Sequence, residues 1–179
     1  MSKKELIIPA FSLFIICLLT AAALSVTNYF TEPKIERRTA EDLQTALSRL
    51  LPADNYDLAS IGITGSDEAA MSVYYKAMHG GEPIGYLFTT SSKGYGGDVT
   101  VLTAVSTEGK IIAIEVLELS GETPGLGQNW SKKENWEQFA GKSIEIGVAK
   151  NNPKDHEIVA VTGATITSKA VTEAVNTAL

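Results

Sequence analysis

Hydroxyl side chains cluster close to the C-terminus of this chain. Residues 162–168 read TGATITS and carry four of them, on Thr162, Thr165, Thr167 and Ser168. An apolar pattern with helical spacing follows at residues 169–179. Small residues let a backbone approach a ligand, and the amides that open a helix offer unpaired N–H donors to an anion such as phosphate. The segment therefore predicts a phosphate site, where a threonine could also carry the phosphate as an ester.

The same residues also fit a structural interpretation, which the residue types alone favour. Thr167 or Ser168 could be the N-cap of the helix, because hydroxyl side chains accept hydrogen bonds from the first free amides. Gly163 would then only form a turn. The residue types alone therefore do not establish a phosphate site.

Two glycine-containing segments precede this cluster in the chain. Residues 94–97 read GYGG, directly before a predicted strand, and residues 122–127 read ETPGLG. A Pro-Gly pair marks a turn and indicates little about function by itself. The GYGG segment fits the entry to a hairpin as well as it fits a ligand contact.

Together these segments resemble one known family. TGATITS resembles the (S/T)GAT flavinylation motif of the FMN-binding domain family, which the G subunit of the Rnf complex shares with the C subunit of the Na⁺-translocating NADH:quinone reductase. The ETPGLG and GYGG segments resemble segments of the same family, in the same order. In that family the threonine that ends the GAT triplet is esterified by the phosphate of FMN. A separate flavin transferase performs this reaction and uses FAD.

The resemblance implies a set of site residues in this chain. Thr165 would hold FMN covalently through a phosphoester. The residues implied on the phosphate side are Thr162, Gly163, Ala164 and Thr167. The residues implied near the flavin ring are Glu122 and Thr123 as tuning groups, Leu126 as an apolar contact, and Gly96 of the GYGG segment. The resemblance implies no catalytic residue and no metal ligand.

Chain length favours the Rnf G subunit over the typically longer C subunit of the quinone reductase. The Rnf complex passes electrons between ferredoxin and NAD⁺ while Na⁺ or H⁺ crosses the membrane, so the chain would be an electron-relay subunit of an oxidoreductase without a substrate site of its own. Its partners would be the other subunits of the complex, the flavin transferase and the membrane. Two alternatives remain: a membrane-anchored module or sensor with non-covalent FMN, and a part of a quinone reductase that resembles its C subunit.

Composition excludes several other classes. The net charge of −6 argues against binding to nucleic acid, which requires clustered Lys and Arg. Cys17 is the only cysteine, and it lies in an apolar run, so the rest of the chain has no thiolate for catalysis or for an iron–sulfur cluster. His79 and His156 lack the spacing of metal ligands. Redox chemistry would therefore require an organic cofactor.

The apolar run covers residues 6–26, which carry no charge and are long enough, as a helix, to cross a bilayer. A cleaved signal peptide is the alternative, because Lys3 and Lys4 precede the run and three consecutive alanines lie within it. Charge does not fix the orientation. The resemblance implies a cytoplasmic tip and anchor at residues 1–26, with an extracytoplasmic FMN-binding domain at residues 27–179 on the cell (inner) membrane.

The remaining pattern predicts an α+β fold, with one transmembrane helix followed by one domain whose antiparallel sheet is flanked by helices. Residues 33–51 have the spacing of an amphipathic helix, with Pro33 in its first turn. Alternating runs predict an antiparallel meander within residues 71–120. Three further elements are predicted after it, namely a short helix at 133–140, a strand at 143–148 and the helix at 169–179.

Overall fold

A computed structural model describes residues 3–62 and 71–179. The chain divides into two compact units, Met1–Leu43 and Gln44–Leu179. The second unit contains the sheet and all of the motif segments. The α+β architecture predicted from the sequence is confirmed.

One helix, α1 (Lys3–Leu50), forms the first unit and continues into the second. From Pro9 onward this helix contains an apolar stretch long enough to cross a membrane. No other helix in the described residues has such a stretch. Large apolar side chains of this stretch are exposed, for example Phe11 at 62% and Leu19 at 64%. The hydroxyl of Thr20 donates to the carbonyl of Ile16 at 3.0 Å, which satisfies it within the helix.

The expectation that Pro33 begins a separate helix is wrong, because Pro33 lies inside α1. Proline in a helix interior removes one backbone hydrogen bond and usually ends or kinks the helix. The residues that follow it, including Lys34, Glu36 and Arg37, favour helix, and the chain continues without a break. Only the last turns pack as an amphipathic helix would: Leu47 is buried, whereas Ile35 is 60% exposed.

A five-stranded antiparallel meander forms the centre of the second unit, in the order β1-β2-β3-β4-β5. The strands are β1 (Asn55–Gly62), β2 (Met71–His79), β3 (Glu82–Lys93), β4 (Asp98–Ser106) and β5 (Ile111–Glu118). The four strands from β2 to β5 confirm the predicted meander. The sequence pattern does not predict β1, which pairs with β2 along its whole length, from Asn55 opposite Met78 to Gly62 opposite Met71.

Short elements follow the sheet. A 3₁₀ turn (Gly127–Ser131), helix α2 (Lys133–Trp136) and a second 3₁₀ turn (Glu137–Phe139) take the place of the single helix predicted at 133–140. The strand predicted at 143–148 is shorter and begins later. It is β6 (Gly147–Ala149), which pairs in parallel with β7 (Glu157–Val159).

Helix α3 (Thr165–Thr177) completes the fold and packs on strands β3 and β4. The apolar face predicted for it is confirmed, because Val171 and Val175 are fully buried. They join a core built with Trp130 and Phe139. The buried hydroxyl of Thr90 on β3 donates to the carbonyl of Ala174 at 2.7 Å. The sheet therefore fixes the position of α3 and of the segment that precedes it.

Candidate functional site

The TGAT segment forms a tight turn that leads directly into α3. The amide of Ala164 donates to the carbonyl of Val161 at 2.9 Å, and Gly163 between them has φ +77°. An L side chain is disfavoured at this φ, so the turn needs glycine. Helix α3 then begins at Thr165, four residues earlier than the apolar pattern predicts.

Neither Thr167 nor Ser168 is the N-cap, so the structural interpretation of these hydroxyls as caps is wrong. The N-cap is Ala164, which makes no side-chain cap hydrogen bond. Ser168 lies inside the helix and is fully buried. Its Oγ accepts hydrogen bonds from Trp130 Nε1 at 3.0 Å and from the Val161 amide at 3.1 Å. It donates to the carbonyl of Ala164 at 2.8 Å.

The start of α3 presents free donors. Among the described residues, the amides of Thr165, Ile166 and Thr167 have no hydrogen-bond acceptor. The half-buried hydroxyl of Thr165 has no hydrogen-bond partner there either. A helix N-terminus with free amides carries a partial positive charge and binds anions. Since no side chain caps these amides, they are available to a phosphate.

Glu122 connects the three motif segments. Its side chain is buried, with 3% of the residue exposed. One carboxylate oxygen, Oε1, accepts hydrogen bonds from the amides of Tyr95 at 2.7 Å and Gly96 at 3.2 Å. The other oxygen, Oε2, accepts a hydrogen bond from the hydroxyl of Thr167 at 2.5 Å. The ETPGLG segment therefore holds the GYGG segment on one side and the first turn of α3 on the other.

Glycines keep these segments close together. A Cβ on Gly127 would lie 2.8 Å from Thr167 Oγ1 and 2.9 Å from Glu122 Cβ, so a side chain there would disturb the contact between them. A Cβ on Gly121 would lie 2.8 Å from Gly97 Cα, which means that the two loops touch through their backbones. No larger residue fits at either position without movement of the chain.

A cleft of about 550 Å³ opens where the segments meet. The predicted site residues that line it are Glu122, Thr123, Leu126, Gly163, Ala164, Thr165 and Thr167. The cleft thus brings the ETPGLG and TGAT segments, which are about forty residues apart in the sequence, to one surface. Its volume lies within the range typical of small-molecule sites, about 300–1,000 Å³.

Two predicted residues lie outside this lining. Thr162 is exposed and borders a separate, more polar cleft together with Gln138 and Val159. Gly96 does not line the cleft but donates to Glu122 through its amide. The described residues contain no group of three or more His, Cys, Asp or Glu side chains that could hold a metal ion.

Two family models match this chain, one over the N-terminal helix and one over the region that contains the motif segments. Residues 94–179, which contain all three segments, match the FMN-binding domain family, and residues 1–50 match the family described as RnfG N-terminal region. The chain is 39% identical to the G subunit of the Na⁺-translocating ferredoxin:NAD⁺ oxidoreductase complex of Acetobacterium woodii, over 92% of this chain and 85% of that protein. This chain belongs to the family of Rnf G subunits.

A second member of the family shows the same extent of similarity. It is the G subunit of the proton-translocating ferredoxin:NAD⁺ oxidoreductase complex of Clostridium ljungdahlii. The two sequences are 34% identical over 94% of this chain and 86% of that subunit. The crystal structure of the C subunit of the Na⁺-translocating NADH-quinone reductase from Parabacteroides distasonis superimposes with a TM-score of 0.57. The superposition covers 76% of this chain and 78% of that subunit, at 22% sequence identity, which shows a shared fold.

The residues of this family member fit FMN on structural grounds. The free amides at the start of α3 suit a phosphate, and the Thr165 hydroxyl lies among them. The rest of the cleft offers apolar surface from Leu126 and Ile166, which are 43% and 52% exposed. A flat aromatic ring system needs such a surface.

Sequence reasoning misses three residues of the lining, Tyr95, Gly127 and Ile166. Tyr95 and Gly127 belong to segments that the motifs identify, but their individual roles depend on how the loops pack. Ile166 follows Thr165, and its spacing indicates neither burial nor exposure. No pattern in the sequence distinguishes it from a core residue.

Proposed function

We propose that this chain is an electron-relay subunit of an Rnf-type ion-translocating oxidoreductase and that it carries FMN through a phosphoester on Thr165. The observation that supports this most directly is the start of α3, where the hydroxyl of Thr165 and three amides have no partner among the described residues and open into the shared cleft. Both relatives are named as subunits of ferredoxin:NAD⁺ oxidoreductase complexes.

Each part of the site has a distinct role in this proposal. The amides of Thr165, Ile166 and Thr167 neutralise the phosphate, while Gly163 and Ala164 let it approach the backbone. Thr123 and Leu126 form the wall next to the ring. When bound, FMN supplies one-electron and two-electron redox chemistry. Thr162 contributes from outside the cleft, where its backbone begins the turn into α3.

Attachment requires a second protein, a flavin transferase that uses FAD. The oxygen of the Thr165 hydroxyl forms a bond to the phosphorus on the FMN side of FAD, and the pyrophosphate bond to AMP breaks. The hydroxyl proton leaves with the transferase or with solvent, and AMP is the second product. The half-buried but unbonded hydroxyl of Thr165 suits this reaction, since no internal hydrogen bond must be broken first.

The apolar part of α1 supports a membrane anchor. We propose that residues 1–26 contain a cytoplasmic tip and a single transmembrane span, and that residues 27–179 form an extracytoplasmic FMN-binding domain. A covalent link suits that location, because FMN that dissociated outside the cell could not be replaced from the cytoplasm. Other subunits of the complex would donate and accept the electrons.

The test is co-expression of the full chain with a flavin transferase, followed by denaturing electrophoresis, in-gel fluorescence and intact mass. We expect the unaltered chain to gain the mass of FMN less one water. Thr165→Ala should lose the fluorescent band, whereas Thr165→Ser retains a hydroxyl and should keep part of it. Thr177→Ala is the matched control, because it removes an exposed threonine hydroxyl from the other end of the same helix.

The outcomes separate the alternatives. Flavin that is released by denaturant would indicate a non-covalent FMN module or sensor. A chain that stays unmodified and colourless beside an active transferase would contradict the proposed function altogether. Labelling of the domain at residues 27–179 in intact cells, with a reagent that cannot cross the membrane, tests the proposed extracytoplasmic location.

A further inference from the structure

We propose that Glu122 acts as a fixed negative charge beneath the cofactor cleft and holds the reduction potential of the flavin low. This inference rests on the proposed function, because it concerns the same cleft. Glu122 would be a positioning and tuning residue, since its hydrogen bonds go to the protein and its charge acts on the cleft at a distance.

The hydrogen-bond pattern supports the charged form of Glu122. Both amide donors point to Oε1, and the Thr167 hydroxyl donates to Oε2. An ionised carboxylate is an acceptor only and can satisfy all three donors at once. Hydrogen bonds to ionised groups are stronger than those between neutral groups, so the arrangement stabilises the negative charge while the side chain is buried.

No cationic side chain lines the cleft beside Glu122 in the part of the chain that the structure describes. Among the described residues that line the cleft, Glu122 is the one charged side chain, and it forms no ion pair in the described part of the chain. The free amides of α3 are the main positive feature, and a phosphate on Thr165 would take up their partial charge. The rest of the cleft is therefore left with the field of an unpaired carboxylate.

This field opposes reduction of a bound flavin. A bound flavin that took up an electron without a proton would gain one negative charge, which Glu122 would repel. Burial strengthens the effect, because a buried charge is screened less by solvent and salt than a surface charge. The flavin would accordingly be a weaker oxidant in this cleft than in a neutral one.

The decisive variant is Glu122→Gln. Glutamine has nearly the same shape, its oxygen can accept from the amides of Tyr95 and Gly96, and its NH₂ group can donate to Thr167. The variant thus removes the charge while the three contacts persist. Glu134→Gln is the matched control, because it removes an exposed carboxylate that makes no hydrogen bond within the described residues.

The measurement is a spectroscopic redox titration of the detergent-solubilised, flavin-loaded full chain, with dithionite as the electron source. We expect Glu122→Gln to raise the equilibrium constant for reduction of the flavin by about tenfold. For a one-electron couple this is a positive shift of the reduction potential by roughly 59 mV. Glu134→Gln should have the potential of the unaltered chain. Hydrogen exchange of the protein without flavin checks the contacts: the Tyr95 and Gly96 amides should stay protected in Glu122→Gln and lose protection in Glu122→Ala.

Thr123→Lys provides a second route if Glu122→Gln carries no flavin. Thr123 is exposed and lines the same cleft, and its side chain makes no hydrogen bond among the described residues. The added positive charge should also shift the potential to more positive values. An unchanged potential in a loaded Glu122→Gln protein, or in loaded Thr123→Lys if the first is not loaded, overturns the inference. Absence of flavin from Thr165 in the unaltered chain would instead overturn the proposed function.

Discussion

The indole nitrogen of Trp130 donates a 3.0 Å hydrogen bond to the hydroxyl of Ser168 in the core of the second unit. Trp130 belongs to the turn that follows the ETPGLG segment, and Ser168 lies in the first turn of α3. Both residues are fully buried. One hydroxyl group therefore joins the two segments whose meeting forms the cleft.

Substitution of Ser168 by alanine should destabilise the domain by roughly 2–4 kcal/mol. The change leaves the Trp130 indole N–H and the Val161 amide without an acceptor, and each unsatisfied buried donor costs about 1–3 kcal/mol. Urea unfolding followed by tryptophan fluorescence measures the effect. Thr177→Ala, at an exposed position on the same helix, should stay within about 0.5 kcal/mol. Equal stability of the two variants would contradict the role assigned to Ser168.

Gly127→Ala should weaken folding and, if FMN is attached as proposed, flavin attachment as well. The added methyl group would press on Glu122 and Thr167, and overpacking of this kind typically costs about 1–3 kcal/mol. Gly125→Ala is a suitable comparison, because its φ of +75° adds backbone strain of about 1–2 kcal/mol while the space around it is open. In-gel fluorescence should show less flavin in the first variant than in the second. Equal labelling of both would indicate that the contact between Glu122 and Thr167 does not shape the cleft.

The ion pair between Arg49 and Glu115 ties the end of α1 to β5. Arg49 Nη1 donates to Glu115 Oε1 at 2.7 Å, while Glu115 Oε2 is buried and lacks a partner among the described residues. We expect Arg49→Met to cost about 1–3 kcal/mol, because it leaves a buried carboxylate unpaired. Combining it with Glu115→Leu should restore most of that loss. A double-mutant cycle with urea unfolding measures the coupling, and strict additivity would contradict it.

The hairpin between β2 and β3 should make stability depend on pH. The pKa of the Asp54 carboxyl lies below its usual range, first because the Gly80 amide donates to it at 2.9 Å and then because His79 is close. A carboxyl whose pKa falls on folding stabilises the protein above its unfolded pKa, and that contribution disappears as pH falls through the folded pKa.

Asp54→Asn removes this titration. The variant should be less stable than the unaltered chain at neutral pH, and the gap should close as the pH falls below about 4, where an unfolded aspartate is protonated. Urea midpoints measured across that range provide the test. A gap of constant size down to about pH 3 would show that Asp54 acts through its shape alone.

The sequence predicts the sheet well wherever residues alternate. Strands β2 to β5 are rich in Val, Ile, Tyr and Thr with a period of two, which matches the pleat of a half-buried strand. Strand β1 escapes prediction because NYDLASIG contains Asn, Asp, Ala and Gly, which strands disfavour. It forms at the edge of the sheet because β2 offers a free row of backbone donors and acceptors, and no local pattern encodes that.

Helix boundaries are harder to predict, for two reasons. The residues around Pro33 do not distinguish a proline that begins a helix from one that lies within a helix. The local pattern therefore assigns Pro33 the wrong position. Residues 165–168 read TITS, and these types have weak helix propensity, which conceals the true start of α3. Burial of Ser168 beside Trp130 compensates for that weakness, and this contact spans a separation that periodicity does not detect.

Within the candidate site, the segments can be recognised from the sequence but the connection between them cannot. Glu122 and Thr167 are 45 residues apart, and nothing in either segment indicates that one carboxylate joins both to the GYGG loop. Such long-range polar contacts depend on the packed core, because the sheet and α3 must first bring the segments together. The resemblance therefore predicts the site residues, and the fold supplies their arrangement.

The backbone contact between Gly121 and Gly97 affects how this protein can evolve. At that point the spacing of two loops is set by main-chain atoms, so no exchange of side chains can adjust it gradually. A comprehensive mutational scan should accordingly find position 121 as intolerant as position 165, the proposed site of flavin attachment, and position 97 restricted to small residues, although neither glycine lines the cleft. Variation that retunes the cofactor would then arise at the exposed wall residues, where a new side chain leaves the loop spacing intact.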